Sequence, residues 1–481
     1  MISPSESNLV LWLVRDTCRI ADNPAFDRAV SEAKRKRASV VALACLEPRR
    51  WQQAQFGLAR SGPEWRRFRA ESLMALRASL EAAGGGLWLV AGNPAETIAR
   101  LLETVNVVSV VTDLPLAPEE EGENADIQAL GVQTLAVPTD ELFDAAQIIT
   151  ALDQLPSSFT KFRKTIEDKH RAEPLLPIGA PMPGASPKQP WPDPKELADA
   201  LAHPMGNRTE VEARGGEAAA KRLWQDYLES GALSSYKKTR NAFSGRTHSS
   251  HLSAWLAHGC ISVREVWHDI LVYEQSRGAN ESTYWLRFEL LWREFFRWYA
   301  RKSGASLFKR EGPSRRVLEV TDDRERFDRW CQGHTGADIV DAPMRELHFT
   351  SWMSNRARQL VASYLIYEAG LDWRLGAAWF ESRLVDFDVA SNWGNWAYIA
   401  AWGRIRGAGG FLILSYRPSD TTRTAVIDGI GYERRSPERG FSPAIGRLSW
   451  RSRFFSKPEK PANGRQLDRI WPFFIKNCVI Q

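Results

Sequence analysis

Between Glu173 and Pro194 the chain places eight prolines, in EPLLPIGAPMPGASPKQPWPDP. Proline fixes its own φ and offers no backbone N–H, so this run can be neither a helix interior nor a central strand. It reads as the middle of a long connector, residues 141–216, laid over the surface. The ordered cores of the 481 residues are then expected on either side of it.

The part before it, residues 8–140, alternates strand and helix signals. NLVLWLVR (Asn8–Arg15) and SVVALACLE (Ser39–Glu47) are short apolar runs rich in β-formers. PEWRRFRAESLMALRASLEAAGG (Pro63–Gly85) has the spacing of an amphipathic helix stopped by glycine. LWLVAG, a helix from Pro94, NVVSVVTDLP (Asn106–Pro115), an acid-rich helix and VQTLAVP follow. That order predicts a doubly wound parallel sheet. No G-x-G-x-x-G follows the first strand, so the dinucleotide fingerprint of such sheets is absent. KRKR (Lys34–Arg37) and EEEGE (Glu119–Glu123) read as solvated charge clusters, the second at a helix start where acids suit the dipole.

The part after it, residues 217–401, reads as all-helical. STYWLRFELLWREFFRWYARK (Ser282–Lys302) is apolar nearly all round and is expected to be largely buried. The chain has 20 tryptophans, about three times the ordinary share, and most lie beyond Trp191. A net charge of +6 and a pI near 9.0 are compatible with a polyanionic partner. Cys18, Cys45, Cys260, Cys331 and Cys478 are scattered and form no CxxC pair, which argues against a disulfide framework or a zinc site and for a reducing compartment. The polar start MISPSESN is no signal peptide, and no apolar run approaches a membrane span. The expectation is a cytoplasmic protein without a membrane partner.

Three constellations carry chemistry. LVDFDVASNWGNWAYI (Leu384–Ile399) mixes two acids, two amides and two indoles. On a helix Asn392 and Trp396 share a face, as do Trp393 and Trp396. Asp386 and Asp388 lie near its start, and buried acids need partners. Asn355, Arg356 and Arg358, in FTSWMSNRARQLVASYL, are the candidates, because guanidinium pairs carboxylate bidentately. Two readings stay open: a site for a large, flat, polar-edged aromatic ligand with phosphates, or a structural ion-pair network in a tryptophan-rich core. In YKKTRNAFSGRTHSSHLSAWLAHGCIS (Tyr236–Ser262), Ser249, Ser250 and Ser253 precede an apolar helix, where hydroxyls cap it or hold phosphate. In FELLWREFF, Glu289, Trp292 and Arg293 share a helical face.

Taken in order, SSHLSAWLAHGCIS, YWLRFELLWREFFR, WCQGHTGADIVDAPMRELHFTSWMSNRARQ and DWRLGAAWFESRLVDFDVASNWGNWAY closely resemble the photolyase/cryptochrome flavoproteins. The resemblance covers roughly residues 8 to 400. LPSSFTKFRK (Leu155–Lys164), Gln359 and Tyr398 make the subtype similar to cryptochrome DASH. The resemblance implies a doubly wound α/β domain, a connector and an all-helical domain that buries FAD. It implies FAD contacts from Tyr236, Ser249, Ser250, Leu252, Ser253, Arg293, Arg358, Asp386, Asp388 and Asn392, with Asn392 beside the flavin N5. Trp396 and Trp373 become the first two steps of an electron relay. The activity implied is light-driven splitting of cyclobutane pyrimidine dimers, in single-stranded DNA. Glu289 and Trp292 then meet the dimer, with Asn355, Arg356, Gln359 and Tyr398 on the DNA side. A folate antenna (methenyltetrahydrofolate) and a monomeric state are also implied. The alternatives are a blue-light signalling photoreceptor and an inactive remnant.

Two departures stand out. The third relay tryptophan, ten residues before the one matching Trp330, is Val320 here. After about Ala401 the resemblance is expected to stop, leaving an atypical tail over 402–481. One codon set for RIRGAGGFLIL, read in another frame, gives DPRRGRFFNP, close to what the family carries there; a frameshift is the reading.

Overall fold

The structure, a computed structural model, describes residues 8–52, 56–177, 186–204 and 212–402. Five strands form one parallel sheet: β1 (Asn8–Leu13), β2 (Ser39–Leu46), β3 (Leu87–Ala91), β4 (Asn106–Asp113) and β5 (Thr134–Val137). Their order is β3-β2-β1-β4-β5, so the winding reverses at β1. Leu9 to Leu13 of β1 pair with Ser39 to Leu43 on one side and with β4 on the other. The central strands are buried on both faces, which is why they read as continuous apolar runs rather than alternating ones. The doubly wound class expected from the sequence is the one observed.

The crossover helices Pro24–Lys36, Pro63–Ala82, Pro94–Leu102 and Pro118–Ala129 each open with proline, which lacks only an N–H that a first turn leaves unpaired anyway. Asn23 and Asn93 cap two of them through their side-chain oxygens. The charge clusters are less idle than expected. Lys36 reaches the Val108 carbonyl and Gln133, Glu119 pairs with Arg60, and Glu123 is buried against Arg15. The acid-rich run is thus partly spent on ion pairs rather than solvated.

The connector also departs from expectation, because it is not all surface. Within it, Phe159–Lys169 is a helix that drives Phe159, Phe162 and Ile166 into the core. Further on, Gln189 accepts from the Leu89 N–H and the Trp191 indole donates to the Leu89 carbonyl, so the connector closes the open edge of β3. Residues 178–185 of the proline run lie outside the described residues.

The second domain is helical, as expected. Its longest helix, Glu281–Ser303, is capped by Asn280 and buries even Glu289, Arg293, Glu294 and Arg297. Of these, Arg293, Glu294 and Arg297 dock the two domains. Asp140 accepts from Arg19 on one side and from Arg293 on the other, at 3.0 and 2.7 Å. Glu141 takes Arg297 and Arg301. Packing there is so close that a Cβ on Gly259, which also has φ +58°, would meet the Asp16 carbonyl oxygen at 2.1 Å. Among the described residues no helix is long and apolar enough to cross a membrane. The expected tail, past Trp402, lies outside the described residues.

Asp113 ends β4 with its carboxylate accepting from the Asp16 N–H. Burial, reinforced by Asp16, pushes its pKa from 3.8 up to about 6. The folded form therefore holds an extra proton between these values, and stability is lost as pH rises through about 6. Asp113→Asn is expected to raise stability at pH 8, by roughly 1–3 kcal/mol, and to change little at pH 4. Denaturant melts at the two pH values measure this.

Candidate functional site

Four segments converge on a cavity of about 80 Å³ inside the helical domain. The stretch from Tyr236 to Ser253 supplies Tyr236, Ser249, Ser250, Leu252 and Ser253; helix Glu281–Ser303 supplies Glu289; the first turn of helix Asn355–Ser363 supplies Asn355 and Arg358; and the loop after Arg383 supplies Asp386. These residues are far apart in sequence, and the helices bring all nine to one wall.

The Arg358–Asp386 pair anchors it. Nη2 lies 2.7 Å from Oδ2, and Nε donates to the Met353 carbonyl. Both side chains are almost fully buried. Asp386 Oδ1 has no hydrogen-bond partner among the described residues, nor does Asn392 Oδ1, although the Asn392 amide donates to the Ala377 carbonyl. A buried acceptor left open costs about 1–3 kcal/mol. Asp386 Oδ1 opens on the cavity beside three serine hydroxyls, which fits a polar-edged ligand with phosphates better than a self-contained structural network; Asn392, expected beside it, is not among the residues lining the cavity.

Glu289 sits 2.6 Å from Arg240, both buried. Burial raises the Glu289 pKa and Arg240 opposes that rise. Burial and Glu289 together keep the Tyr236 hydroxyl protonated by raising its pKa. Arg240, His248, His251 and Trp352 also line the cavity and were not singled out from sequence. Arg240 follows Tyr236 by four residues, a helical spacing that was there to be read.

Other expected residues lie elsewhere. Arg293 faces away from this cavity, held by the Asp140 carboxylate and carbonyl. Asp388 caps helix Val389–Trp402 by accepting from Ser391 N–H, and it borders a different cavity. Trp292 is not open to a stacking base: Phe159 lies flat on it at 3.6 Å, and Tyr398 abuts it edge-on. Arg356 binds Gln359 and Asn241. Trp396 is fully buried against Phe380 and Trp330. Trp373 is buried with its N–H on the Arg310 carbonyl. Val320 is partly buried in the same apolar cluster.

A larger cavity, about 430 Å³, lies between the domains beyond the C-terminal ends of β1 and β2. Asp16, Glu47, Trp51, Trp65, Asp388 and Trp393 are among its walls. Sequence reading did not place it, yet the crevice beside a winding reversal is where doubly wound sheets take ligands.

A parallel-sheet domain docked on a helical domain, whose buried arginine–aspartate pair keeps acceptors open in a serine-lined cavity, has the architecture of a nucleotide-cofactor flavoprotein. Residues 285–414 match the FAD binding domain of DNA photolyase, and residues 9–184 match the DNA photolyase domain. Cryptochrome DASH of Gloeobacter violaceus is 40% identical over 457 residues, 93% of this chain and 89% of that one. The crystal structure of a Synechocystis cryptochrome superposes with a TM-score of 0.78 at 34% identity, covering 88% of this chain and 89% of that one. A bacterial class III photolyase from Agrobacterium tumefaciens gives 0.68 at 28% identity, covering 83% and 81%. The chain belongs to the photolyase/cryptochrome family, with cryptochrome DASH proteins as its relatives, and FAD is its cofactor. One expectation is corrected: the match to the FAD binding domain runs to residue 414, so similarity does not stop at about Ala401.

Arg358→Met is expected to destabilise the fold by roughly 3–5 kcal/mol, because Asp386 is left buried and unpaired. The same substitution combined with Asp386→Leu should recover most of that loss in denaturant melts.

Proposed function

We propose that this chain is a light-driven lyase that splits cyclobutane pyrimidine dimers, acting on single-stranded DNA. The observation that supports it best is the shared wall of the smaller cavity. Glu289, an acid of raised pKa, stands there with Arg240, beside the Arg358–Asp386 pair and the serine cluster. The serines would hold the FAD pyrophosphate, and Asp386 and Asn392 would offer their open oxygens to the isoalloxazine edge. Reduced flavin, when bound and excited by blue light, supplies an electron to the dimer and takes it back.

The protein's own residues position and protonate. A carboxyl whose pKa is raised can donate a hydrogen bond to a thymine carbonyl, and Arg240 keeps it oriented. Arg356 and Asn241, joined at 2.7 Å, lie on the approach formed with Gln359 and suit phosphate contact. A dimer leaves a single strand at lower cost than a duplex, which favours the single-stranded substrate. Trp292 is assigned no stacking role, because Phe159 occupies its face. The folate antenna of the same reading is assigned to the interdomain cavity, whose indole walls suit a flat heterocycle.

Purified protein loaded with FAD and illuminated with blue light should restore dimer-containing single-stranded oligonucleotides, measured by chromatography of the product thymines. Glu289→Gln is expected to retain flavin absorbance while lowering repair roughly tenfold, a cost of about 1.4 kcal/mol for replacing the carboxyl donor by an amide. Flavin uptake without any repair in the parent chain would favour the signalling photoreceptor instead.

A further inference from the structure

Trp393 is not needed by the site described above, yet its surroundings differ from those of every other buried indole in that region. Its N–H donates to Glu381 Oε2 at 2.9 Å. Trp373 donates to a neutral carbonyl, Arg310 O, and Trp330 donates to another, Val361 O. The Trp396 N–H has no partner among the described residues. Trp379, half-buried, has the Arg383 guanidinium over its ring at 4.5 Å.

These partners rank the rings as electron donors. Removing an electron from indole leaves a cation whose N–H becomes acidic. A carboxylate accepting that N–H stabilises the cation and can take its proton. A guanidinium over the ring opposes the cation by like-charge repulsion. Electrostatics therefore makes Trp393 the easiest of the set to oxidise and Trp379 the hardest.

Geometry connects Trp393 to the relay. It stands three residues before Trp396, one helical turn away on the same helix. Its ring meets Trp373 edge-on at 5.9 Å and Phe308 at 5.1 Å. Trp396 packs so tightly on the helix that Trp373 opens that a Cβ on Gly376 would lie 2.2 Å from its ring. On its other side Trp393 borders the interdomain cavity, with Glu381 and Arg60. Glu119, whose side chain is 53% exposed, pairs with that Arg60 and forms part of the cavity's rim. Val320, at the position of the third relay tryptophan, offers no oxidisable group.

We propose that Trp393 is the terminal electron-relay residue of this chain, with Glu381 as its proton acceptor, and that an external thiol refills it. This rests on the flavin reading above. The balance is one electron at each step. The flavin gains an electron and Trp396 loses it; Trp373 or Trp393 refills Trp396, and Trp393 refills Trp373. The Trp393 indole proton passes to Glu381. A small thiol then returns an electron to Trp393, Glu381 returns the proton, and two oxidised thiols combine into a disulfide with loss of their own protons.

Two measurements test this. In the flavin-free full-length chain, one-electron oxidation by azide radicals should favour Trp393 over Trp330, Trp373, Trp379 and Trp396, mapped by mass spectrometry; Trp224 and Trp298, which also donate to carboxylates, lie outside that comparison. Glu381→Gln should remove that preference. In the FAD-loaded chain with dithiothreitol, Trp393→Phe should slow blue-light flavin reduction roughly tenfold or more, since a carboxylate-stabilised cation is lost, at unchanged flavin content. Trp393→Tyr, which keeps an oxidisable ring, should recover part of the rate, and Trp379→Phe should leave it unchanged. Oxidation spread evenly over those five indoles in the parent chain, or Trp393→Phe reducing its flavin at the parental rate, overturns the assignment. Because the first measurement needs no flavin, it tests Trp393 even if the repair reading fails.

Discussion

A single buried carboxylate, Asp140, sets the geometry on which both cavities depend. It is gripped by Arg19 from the loop after β1 and by Arg293 from the longest helix. Burial raises its pKa, and the guanidiniums of Arg19, Arg293 and Arg297 outweigh that, so its net shift is downward and the network stays charged. Removing any one member leaves a buried charge without a partner, which is far costlier than the pair is stabilising. The network therefore fixes where helix Glu281–Ser303 sits relative to the sheet. One face of that helix then presents Glu289 to the serine-lined cavity, while Arg293, Arg297 and Arg301 are committed to the domain junction. The interdomain cavity is the space this docking leaves beyond the strand ends.

Arg293 shows why that arrangement was only partly legible in sequence. Its position four residues after Glu289 put both on one helical face, and the family resemblance assigned Arg293 to the flavin and Glu289 to the dimer. Helical spacing gives a shared face but not the neighbour that face meets, and Asp140, 153 residues upstream, captured the guanidinium. Strands and long amphipathic helices were readable because their periodicity is local. Seven of the nine cavity residues were also readable from the motifs, each of which carried polar groups that a helical core would have to partner, while Tyr236 and Leu252 came from the resemblance alone. Phe159 was misread for a compositional reason. It lies in a segment crowded with Ser, Lys and Pro, and its burial against Trp292 depends on a helix that only the packed helical domain stabilises. That contact in turn removed the stacking role expected of Trp292.

The interdomain cavity was invisible for a different reason. Its walls come from the ends of two strands, three helix starts and the stretch Phe387–Trp393, with no motif of their own. A glycine fingerprint, whose absence was taken to leave the sheet undeclared, is one way to line such a crevice. Here acids and indoles line it instead, and Asp16, which borders the cavity, has its pKa pushed up to about 6, chiefly by burial and then by Glu120. A carboxyl of raised pKa beside indole walls offers a polar edge and a flat apolar face to a heterocycle.

The same junction gives the tryptophans their ordering. Twenty indoles make many electron routes geometrically available, so distance alone selects none of them. Selection comes from the charge beside each ring. Glu381 is held by Arg60 across the domain boundary and so keeps an oxygen on the Trp393 N–H. Arg383, two residues further along the same helix, lies instead over Trp379. One helical turn thus places opposite charges beside two indoles, favouring oxidation on the side facing the cavity and disfavouring it on the other. On the proposed relay, the exit follows from where a carboxylate meets an indole N–H rather than from the residue at position 320, and that meeting is fixed by the Arg60–Glu381 pair across the domain boundary.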